Sequence, residues 1–259
     1  MLFLRSLLAN TVFYANLILW LVFVALPALV LPPRYMLAIA QAWARSALFL
    51  MRVIAGLHYE IKGLENIPPG GLLVASKHQS FWETFALIML FPDPVFILKR
   101  ELMRIPFFGW CLFKLRMIPV DRGGRARALN QVARLARVEL GEKKRQLLIF
   151  PEGTRRAPGA PPDYKYGVAH IYSTLDVPCV PVALNSGLFW PRRKFLRPPG
   201  TIRMQFLPPI PPGLGKAEFQ ALLQEQIETA SNRLLEQGRA ELASIGLGHL
   251  APAPDNSRQ

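Results

Sequence analysis

The 259-residue sequence predicts an α/β fold preceded by a hydrophobic helical segment. After about residue 60, short apolar and β-branched runs alternate with turn residues and longer amphipathic stretches, a pattern typical of α/β chains. Before that point, residues 6–33 contain no charged side chain. Hydrophobic residues make up 51% of the chain, which is enough for a substantial core and excludes intrinsic disorder.

The first predicted element is a membrane segment. The uncharged run from Ser6 to Pro33 is 28 residues long, whereas a helix needs only about 20 apolar residues to cross a bilayer core. A cleaved signal peptide and a buried pair of core helices are the alternatives. The run exceeds the apolar core of a signal peptide, which is about 7 to 15 residues, so we expect a retained anchor.

A second apolar run follows from Tyr35 to Met51 and is interrupted only by Arg45. The prolines between the two runs predict a helical hairpin, and the pattern fits two helices within one leaflet as well as two full spans. Lys and Arg dominate the sequence that follows. This charge bias predicts a location at the cytoplasmic (inner) membrane, with the main domain facing the cytoplasm.

In the main domain we predict six strands, most of them short apolar runs of the buried kind. They are Leu72 to Ser76, Val95 to Leu98, Met117 to Val120, Leu147 to Phe150, Val180 to Leu184 and Thr201 to Phe206. Helices are expected between them, most clearly over Arg125 to Leu140 and Lys216 to Gln237, where apolar residues recur at helical spacing. The expected organisation is therefore an anchor over 1–55, a domain over 56–245 and a disordered tail over 246–259.

The charge of the chain narrows its partners. The formal net charge is +14 with a mean hydropathy of +0.23, a combination that suits a protein held against an anionic membrane. Nucleic acid is the rival partner, but aromatic and basic residues do not interleave on any predicted element, so we expect none. The four histidines and two cysteines are not at metal-ligand spacing, so we expect no metal or cofactor either.

The most informative segment is Ala75 to Thr84, in which His78 lies in a loop between a predicted strand and a helix beginning near Ser80. A helix N-terminus favours neutral imidazole, and a carboxylate such as Glu83 orients the ring and stabilises the imidazolium that forms when it takes a proton. This pattern indicates a general base. The same residues also fit a capping box, Ser80-x-x-Glu83, with a merely structural histidine.

Three further segments follow predicted strands or form one. Phe150 to Arg156 reads F-P-E-G-T-R-R, which can offer backbone N–H groups, a hydroxyl and a guanidinium to a phosphate. Lys99 to Arg122 places cations around an aromatic turn. Val177 to Val182 is a strand with two prolines, which fits an edge strand or a strand start. Solvated loops and a purely structural strand are the alternatives.

Taken in order, the segments resemble the 1-acyl-glycerol-3-phosphate acyltransferases, a family of glycerolipid acyltransferases. The family is known by H-x4-D, a block with a basic residue that ends near an Arg, F-P-E-G-T-R-S, and V-P-x-x-P. The corresponding segments here are His78 to Glu83, Lys99 to Arg122, Phe150 to Arg156 and Val177 to Pro181. The resemblance covers about residues 55–210. Glu83 stands where Asp is usual, and Arg156 where Ser is usual.

The resemblance implies a mixed sheet flanked by helices, and transfer of a fatty acyl group from acyl-CoA or acyl carrier protein to the free hydroxyl of 1-acyl-glycerol-3-phosphate. The product is phosphatidic acid. His78 is then the general base and Glu83 fixes its tautomer. The residues expected at the phosphate and glycerol of the acceptor are Lys99, Arg122, Glu152, Gly153, Thr154 and Arg155.

Three alternatives stay open on the sequence. In the first, the acceptor is another lysolipid, such as a lyso-ornithine lipid or another lysophospholipid, or dihydroxyacetone phosphate. In the second, the chain binds membrane lipid without catalysis. In the third, it hydrolyses acyl-CoA with the same histidine. A basic cluster at Arg192, Arg193, Lys194 and Arg197 either attracts the acidic donor or anionic lipid or forms a solvated loop.

Overall fold

The computed structural model describes residues 1–121, 125–141 and 143–252, and it begins with the predicted helical hairpin. Helix α1 covers Leu2–Leu19 and continues through a π-helical turn, Trp20–Ala25, and a 3-10 turn, Pro27–Val30. Helix α2 covers Pro33–Ala55. The prolines open the 3-10 turn and α2, where the missing N–H groups cost no intrahelical bond. Both arms are long and apolar enough to cross a membrane.

The strands of the described residues form one seven-stranded sheet with the order β1-β7-β6-β2-β5-β3-β4. The bounds are β1 Leu57–Lys62, β2 Leu72–Ser76, β3 Pro94–Lys99, β4 Ile118–Val120, β5 Gln146–Ile149, β6 Cys179–Leu184 and β7 Gly200–Phe206. Neighbouring strands are parallel except β6 and β7. The mixed sheet is confirmed, and the six predicted strands lie within one residue of their predicted ends.

The remaining helices flank the sheet. They are α3 Trp82–Leu90, α4 Phe108–Lys114, α5 Arg125–Gly141, α6 Gly167–Thr174, α7 Ser186–Phe189 and α8 Lys216–Ser244. Helix α6 packs between α5 and α8, while α2 packs on α3 and β1. The segment predicted as a tail contains a 3-10 turn at Gly248–Leu250, and residues 253–259 lie outside the described part.

Strand β1 was not predicted, and its place in the sheet explains why. It is an edge strand that pairs in parallel with β7, so Leu57 lies opposite Gly200, far away in sequence.

The prolines of β6 require a correction to the prediction of an edge strand or a strand start. Pro178 precedes the strand as expected, but Pro181 lies inside an interior strand. The proline nitrogen, which has no hydrogen to donate, faces Leu207, one residue beyond the end of β7. Only one hydrogen bond at the end of the β6–β7 pairing is therefore lost.

The core places the site by burying the centre of the sheet. Every residue of β2, β5 and β6 is buried. An aromatic cluster joins the hairpin to this core, since the Phe13 ring of α1 packs edge-on against Trp190 at 4.9 Å and near Phe85 of α3 at 6.0 Å. The hairpin is thus packed on the α/β domain rather than tethered to it.

The turn after β1 depends on Gly63. Its φ is +76°, and an added Cβ would lie 2.0 Å from the Phe206 carbonyl oxygen, which Asn66 Nδ2 already binds. We expect Gly63→Ala to lower the free energy of unfolding by about 3 kcal/mol or more, measured by urea denaturation. Gly70→Ala is the control, because Gly70 has φ +94° with open space around it, and strain alone costs about 1–2 kcal/mol. Equal losses would contradict the steric explanation.

Candidate active site

Parallel strands β2, β3, β5 and β6 end at one edge of the sheet, and the loops that leave this edge carry the predicted residues. His78 follows β2, residues 150–156 follow β5, and Lys99 ends β3. Ser186 follows β6. Open α/β sheets bind their ligands outside the carboxyl ends of their strands, so this edge is the candidate site.

The carboxylate of Glu83, in the first turn of α3, is fully buried and binds His78. Its Oε1 accepts hydrogen bonds from His78 Nδ1 at 2.8 Å and from the backbone N–H groups of Gln79 and Ser80 at 2.7 Å each. Its Oε2 accepts one from Ser186 Oγ at 2.7 Å. One side chain therefore makes the contacts of a helix cap and those of a partner for an imidazole.

The His78 ring is fixed on both sides but reaches the surface. It stacks on Phe150 with ring centroids 3.9 Å apart and an interplanar angle of 15°, and 14% of the side chain is exposed. Because Nδ1 faces a carboxylate, which only accepts, we assign the proton to Nδ1 and the free lone pair to Nε2. The His78 carbonyl also accepts a bond from the Arg156 N–H at 2.8 Å, which joins the two loops.

Next to His78, Lys77 is buried between two carboxylates. Its Nζ lies 3.0 Å from Glu152 Oε1 and 2.6 Å from Glu228 Oε1 of α8, which also accepts a bond from the Tyr164 hydroxyl. Burial raises the pKa of Glu152, the ion pair with Lys77 opposes this, and the charge of Glu228 adds to the rise. The structure thus places Glu152, predicted at the acceptor, beneath the loop, with 1% of its side chain exposed.

The loop after β5 begins with a tight turn. The Gly153 N–H donates to the Phe150 carbonyl at 2.8 Å, with Pro151 at the second position, as turns of this kind favour. Gly153 has φ +63°, which glycine adopts without strain. Downstream, an Arg192 amino group donates to the Arg155 carbonyl at 3.0 Å and to the Thr154 hydroxyl at 3.4 Å, so the backbone of the loop is held from the far side.

Arg155, in the loop after β5, is a half-buried cation near other cations. Burial lowers its pKa, as do the neighbouring charges of Arg192 and Arg193, while Glu83 and Tyr14 of α1 act in the opposite direction. Within the described ranges its guanidinium forms no salt bridge. A cation near other cations gains electrostatic stabilisation from an anionic ligand.

The two remaining predicted cations are Lys99 and Arg122. Lys99 lies at the same edge, but β5 separates its strand from β2, which puts it about 10 Å from the strand that precedes His78. Its Nζ pairs with exposed Glu101 at 3.2 Å. Arg122 lies outside the described residues. Among residues 1–121, 125–141 and 143–252, no three His, Cys, Asp or Glu side chains are grouped to hold a metal ion.

The chain is similar in sequence to known acyltransferases. The acyltransferase family model matches residues 58–185. The chain is 40% identical over 202 residues to the 1-acyl-sn-glycerol-3-phosphate acyltransferase of Pseudomonas aeruginosa, covering 77% of this chain and 78% of that one. The chain belongs to the 1-acyl-sn-glycerol-3-phosphate acyltransferase family.

More distant members of the family match too. The human 1-acyl-sn-glycerol-3-phosphate acyltransferase alpha is 28% identical over 170 residues, 64% of this chain and 60% of that one. The crystal structure of the 1-acyl-sn-glycerophosphate acyltransferase of Thermotoga maritima superposes with a TM-score of 0.75 at 23% identity, covering 90% of this chain and 98% of that one. The fold is therefore the fold of this acyltransferase.

The family motifs gather at the sheet edge, but residues outside them complete the site. Sequence reasoning missed Ser186, which binds Glu83, and Glu228, which binds Lys77. Ser186 follows the V-P-x-x-P strand, so its position after β6 was the one signal available. Glu228 carried none. Arg156, where the family usually has Ser, turns outward to donate to the Pro161 carbonyl at 2.8 Å.

The buried Lys77 should be costly to remove. In Lys77→Met, Glu152 and Glu228 lose the cation between them, so we expect the free energy of unfolding to fall by about 3–5 kcal/mol. The control is Lys62→Met. Its ion pair with Glu60 is exposed, so the loss should stay below about 1 kcal/mol. Chemical denaturation of both variants compares them, and equal losses would show that the buried triad contributes no more than a surface pair.

Proposed function

We propose that this chain transfers a fatty acyl group from an acyl thioester, acyl-CoA or acyl carrier protein, to the free hydroxyl of 1-acyl-glycerol-3-phosphate, forming phosphatidic acid. The observation that carries the proposal is the His78–Glu83 pair at 2.8 Å, with the ring at the ligand-binding edge of the sheet. The acyl transfer named in the Pseudomonas relative needs such a base. Arg155, with Arg192 and Arg193 near it, suits the phosphate of the acceptor.

In the proposed mechanism His78 Nε2 takes the proton of the acceptor hydroxyl, and the oxygen of that hydroxyl attacks the thioester carbonyl carbon. The C–O bond forms and the carbonyl electrons move to its oxygen, giving a tetrahedral intermediate. Collapse of that intermediate breaks the C–S bond, and the departing sulfur receives the proton from the imidazolium. Glu83 stabilises the imidazolium through Nδ1, and no protein nucleophile is required.

The acceptor phosphate is proposed to bind at Arg155, with the Thr154 hydroxyl and the Gly153 region of the loop beside it. A guanidinium offers paired donors that match phosphate oxygens. Lys99 and Arg122 are proposed as further cations for the polar head. Glu152 is proposed to act by positioning, because its carboxylate is buried on Lys77 and would repel an anion.

The hairpin is proposed to hold the enzyme in the membrane with its helices along one leaflet. Lys114 Nζ of α4 donates to the Leu29 carbonyl at 2.8 Å, so the hairpin turn lies on the α/β domain. A spanning hairpin would carry this turn about 30 Å away. The outward face of α1 and of the π-helical turn after it is apolar, with Phe3, Leu4 and Phe23 each at least 60% exposed.

This placement also supports the proposed location at the cytoplasmic (inner) membrane, with the α/β domain facing the cytoplasm. Both lipids lie at the interface, whereas the thioester carriers are soluble. The site must therefore meet the bilayer surface from the side on which the carriers are found, and the Lys- and Arg-rich domain fits the cytoplasmic side.

The first test is the general base. We expect His78→Ala to reduce formation of phosphatidic acid from labelled acyl-CoA and lysophosphatidate by about 100- to 10,000-fold. The assay uses enzyme in nanodiscs, and thermal unfolding confirms that the variant folds. His58→Ala, an exposed histidine of β1, is the control and should keep its activity. Full activity of His78→Ala would refute the assignment, and transfer only to a different lysolipid would change the acceptor.

The second test is the phosphate site. In Arg155→Ala we expect the KM for lysophosphatidate to rise about tenfold or more, since a charge-assisted hydrogen bond is lost, while the KM for acyl-CoA stays unchanged. The matched control is Arg134→Ala, an exposed arginine of α5. Steady-state kinetics with each substrate varied in turn separates the two constants. A rise confined to acyl-CoA would place Arg155 on the donor side instead.

A further inference from the structure

A second apolar surface lies outside the hairpin, on and before α4. Its members are Ile105, Phe107, Trp110 and Phe113, which we call the α4 patch. Their exposed fractions are 45%, 40%, 54% and 78%. Phe107 and Trp110 pack edge-on with ring centroids 5.4 Å apart. Neighbouring exposed aromatic residues of this size mark a surface that contacts another apolar phase.

The backbone is strained to present this patch. Phe107 has φ 65° and ψ −55°, and the Phe108 N–H donates to the Pro106 carbonyl at 2.7 Å, which is a γ-turn of the rare, strained kind. Gly109 allows the turn, because a Cβ there would lie 2.2 Å from the Met103 carbonyl oxygen. The Phe107 ring stays 40% exposed in this conformation, so burial in the domain does little to offset the backbone strain.

The α4 patch is continuous with the hairpin. Lys114, at the end of α4, donates to the Leu29 carbonyl, and neighbouring Val30 is 87% exposed. Exposed cations, Arg104 and Arg116, border the patch. The nearby acid, Glu101, is paired with Lys99. Aromatic side chains bordered by cations are the composition of surfaces that rest at the boundary between headgroups and acyl chains.

We infer that the α4 patch is a second lipid-contacting surface, which inserts beside the hairpin into the interface of an anionic bilayer. The inference rests on the proposed function only in taking the hairpin as the anchor. An acidic carrier protein would call for a surface dominated by cations, whereas the centre of this one is Phe and Trp. With the hairpin and the α4 patch both in contact with lipid, the tilt of the domain is fixed. The sheet edge that carries His78 then keeps a constant height above the bilayer.

The test is a depth measurement in the full chain bound to phosphatidylcholine–phosphatidylglycerol vesicles. A nitroxide label is placed at Phe113→Cys, with Val138→Cys of α5 as the matched exposed control, in a Cys111→Ala background. Cys179 is fully buried and should not react. We expect the label at position 113 to collide mostly with oxygen, which concentrates in lipid, and the label at 138 to collide mostly with a water-soluble nickel chelate.

The failures of the two proposals are distinguishable. If the protein floats with the vesicles but the label at 113 behaves like the one at 138, the α4 patch does not touch lipid and the inference is wrong. If the protein does not float, the anchor itself is wrong. Protection of position 113 only when acyl carrier protein is added would assign the patch to the donor and overturn the inference.

A charge substitution gives an independent readout. We expect Phe113→Glu to weaken vesicle binding about tenfold, since an apolar ring at the interface is replaced by a charge that anionic lipid repels. Val138→Glu introduces the same charge elsewhere and should change binding less than about twofold. Sedimentation with vesicles measures both. Equal affinities of the two variants would contradict the inference.

Discussion

Four donors converge on the buried carboxylate of Glu83, and the position of His78 depends on them. Two are backbone N–H groups of the loop that carries His78, one is the imidazole, and the fourth is Ser186, which follows the neighbouring strand β6. Three of these hydrogen bonds end on Oε1 and one on Oε2, and such bonds offset the cost of burying a carboxylate this deep. The carboxylate therefore joins the ends of β2 and β6 and orients the ring in the same arrangement.

The polar groups around this point separate into two sets by charge. Beneath the loop that carries His78, the charge of Lys77 offsets the charges of Glu152 and Glu228, so these carboxylates are paired inside the protein. Above it, Arg155 stands among other arginines, near the hairpin. The division leaves the candidate ligand-binding side positive, next to an apolar surface. An acceptor with a phosphate head and an acyl tail presents these two properties side by side.

Much of the fold was readable because the central strands are continuous apolar runs bounded by turns, and their motifs follow directly. Strand β1 was not predicted, although its residues alternate between apolar and polar, and its partner β7 is distant in sequence. Ser186 and Glu228 escaped for a related reason. Each contacts its partner across more than 100 residues, and a single hydroxyl or carboxylate on a helix has no local signature. Local pattern predicted the His78 loop and its place after β2, whereas the supporting contacts arise only on folding.

The replacement of the usual Asp by Glu83 is explained by how the carboxylate is held. A glutamate has one more methylene, about 1.5 Å of reach, and here that reach is directed back over the start of α3 to the Gln79 and Ser80 N–H groups. Those bonds and the one from Ser186 fix the longer side chain, so the added freedom is removed by the fold. The position of the His78 ring therefore depends on the same contacts that close the helix and join the strands.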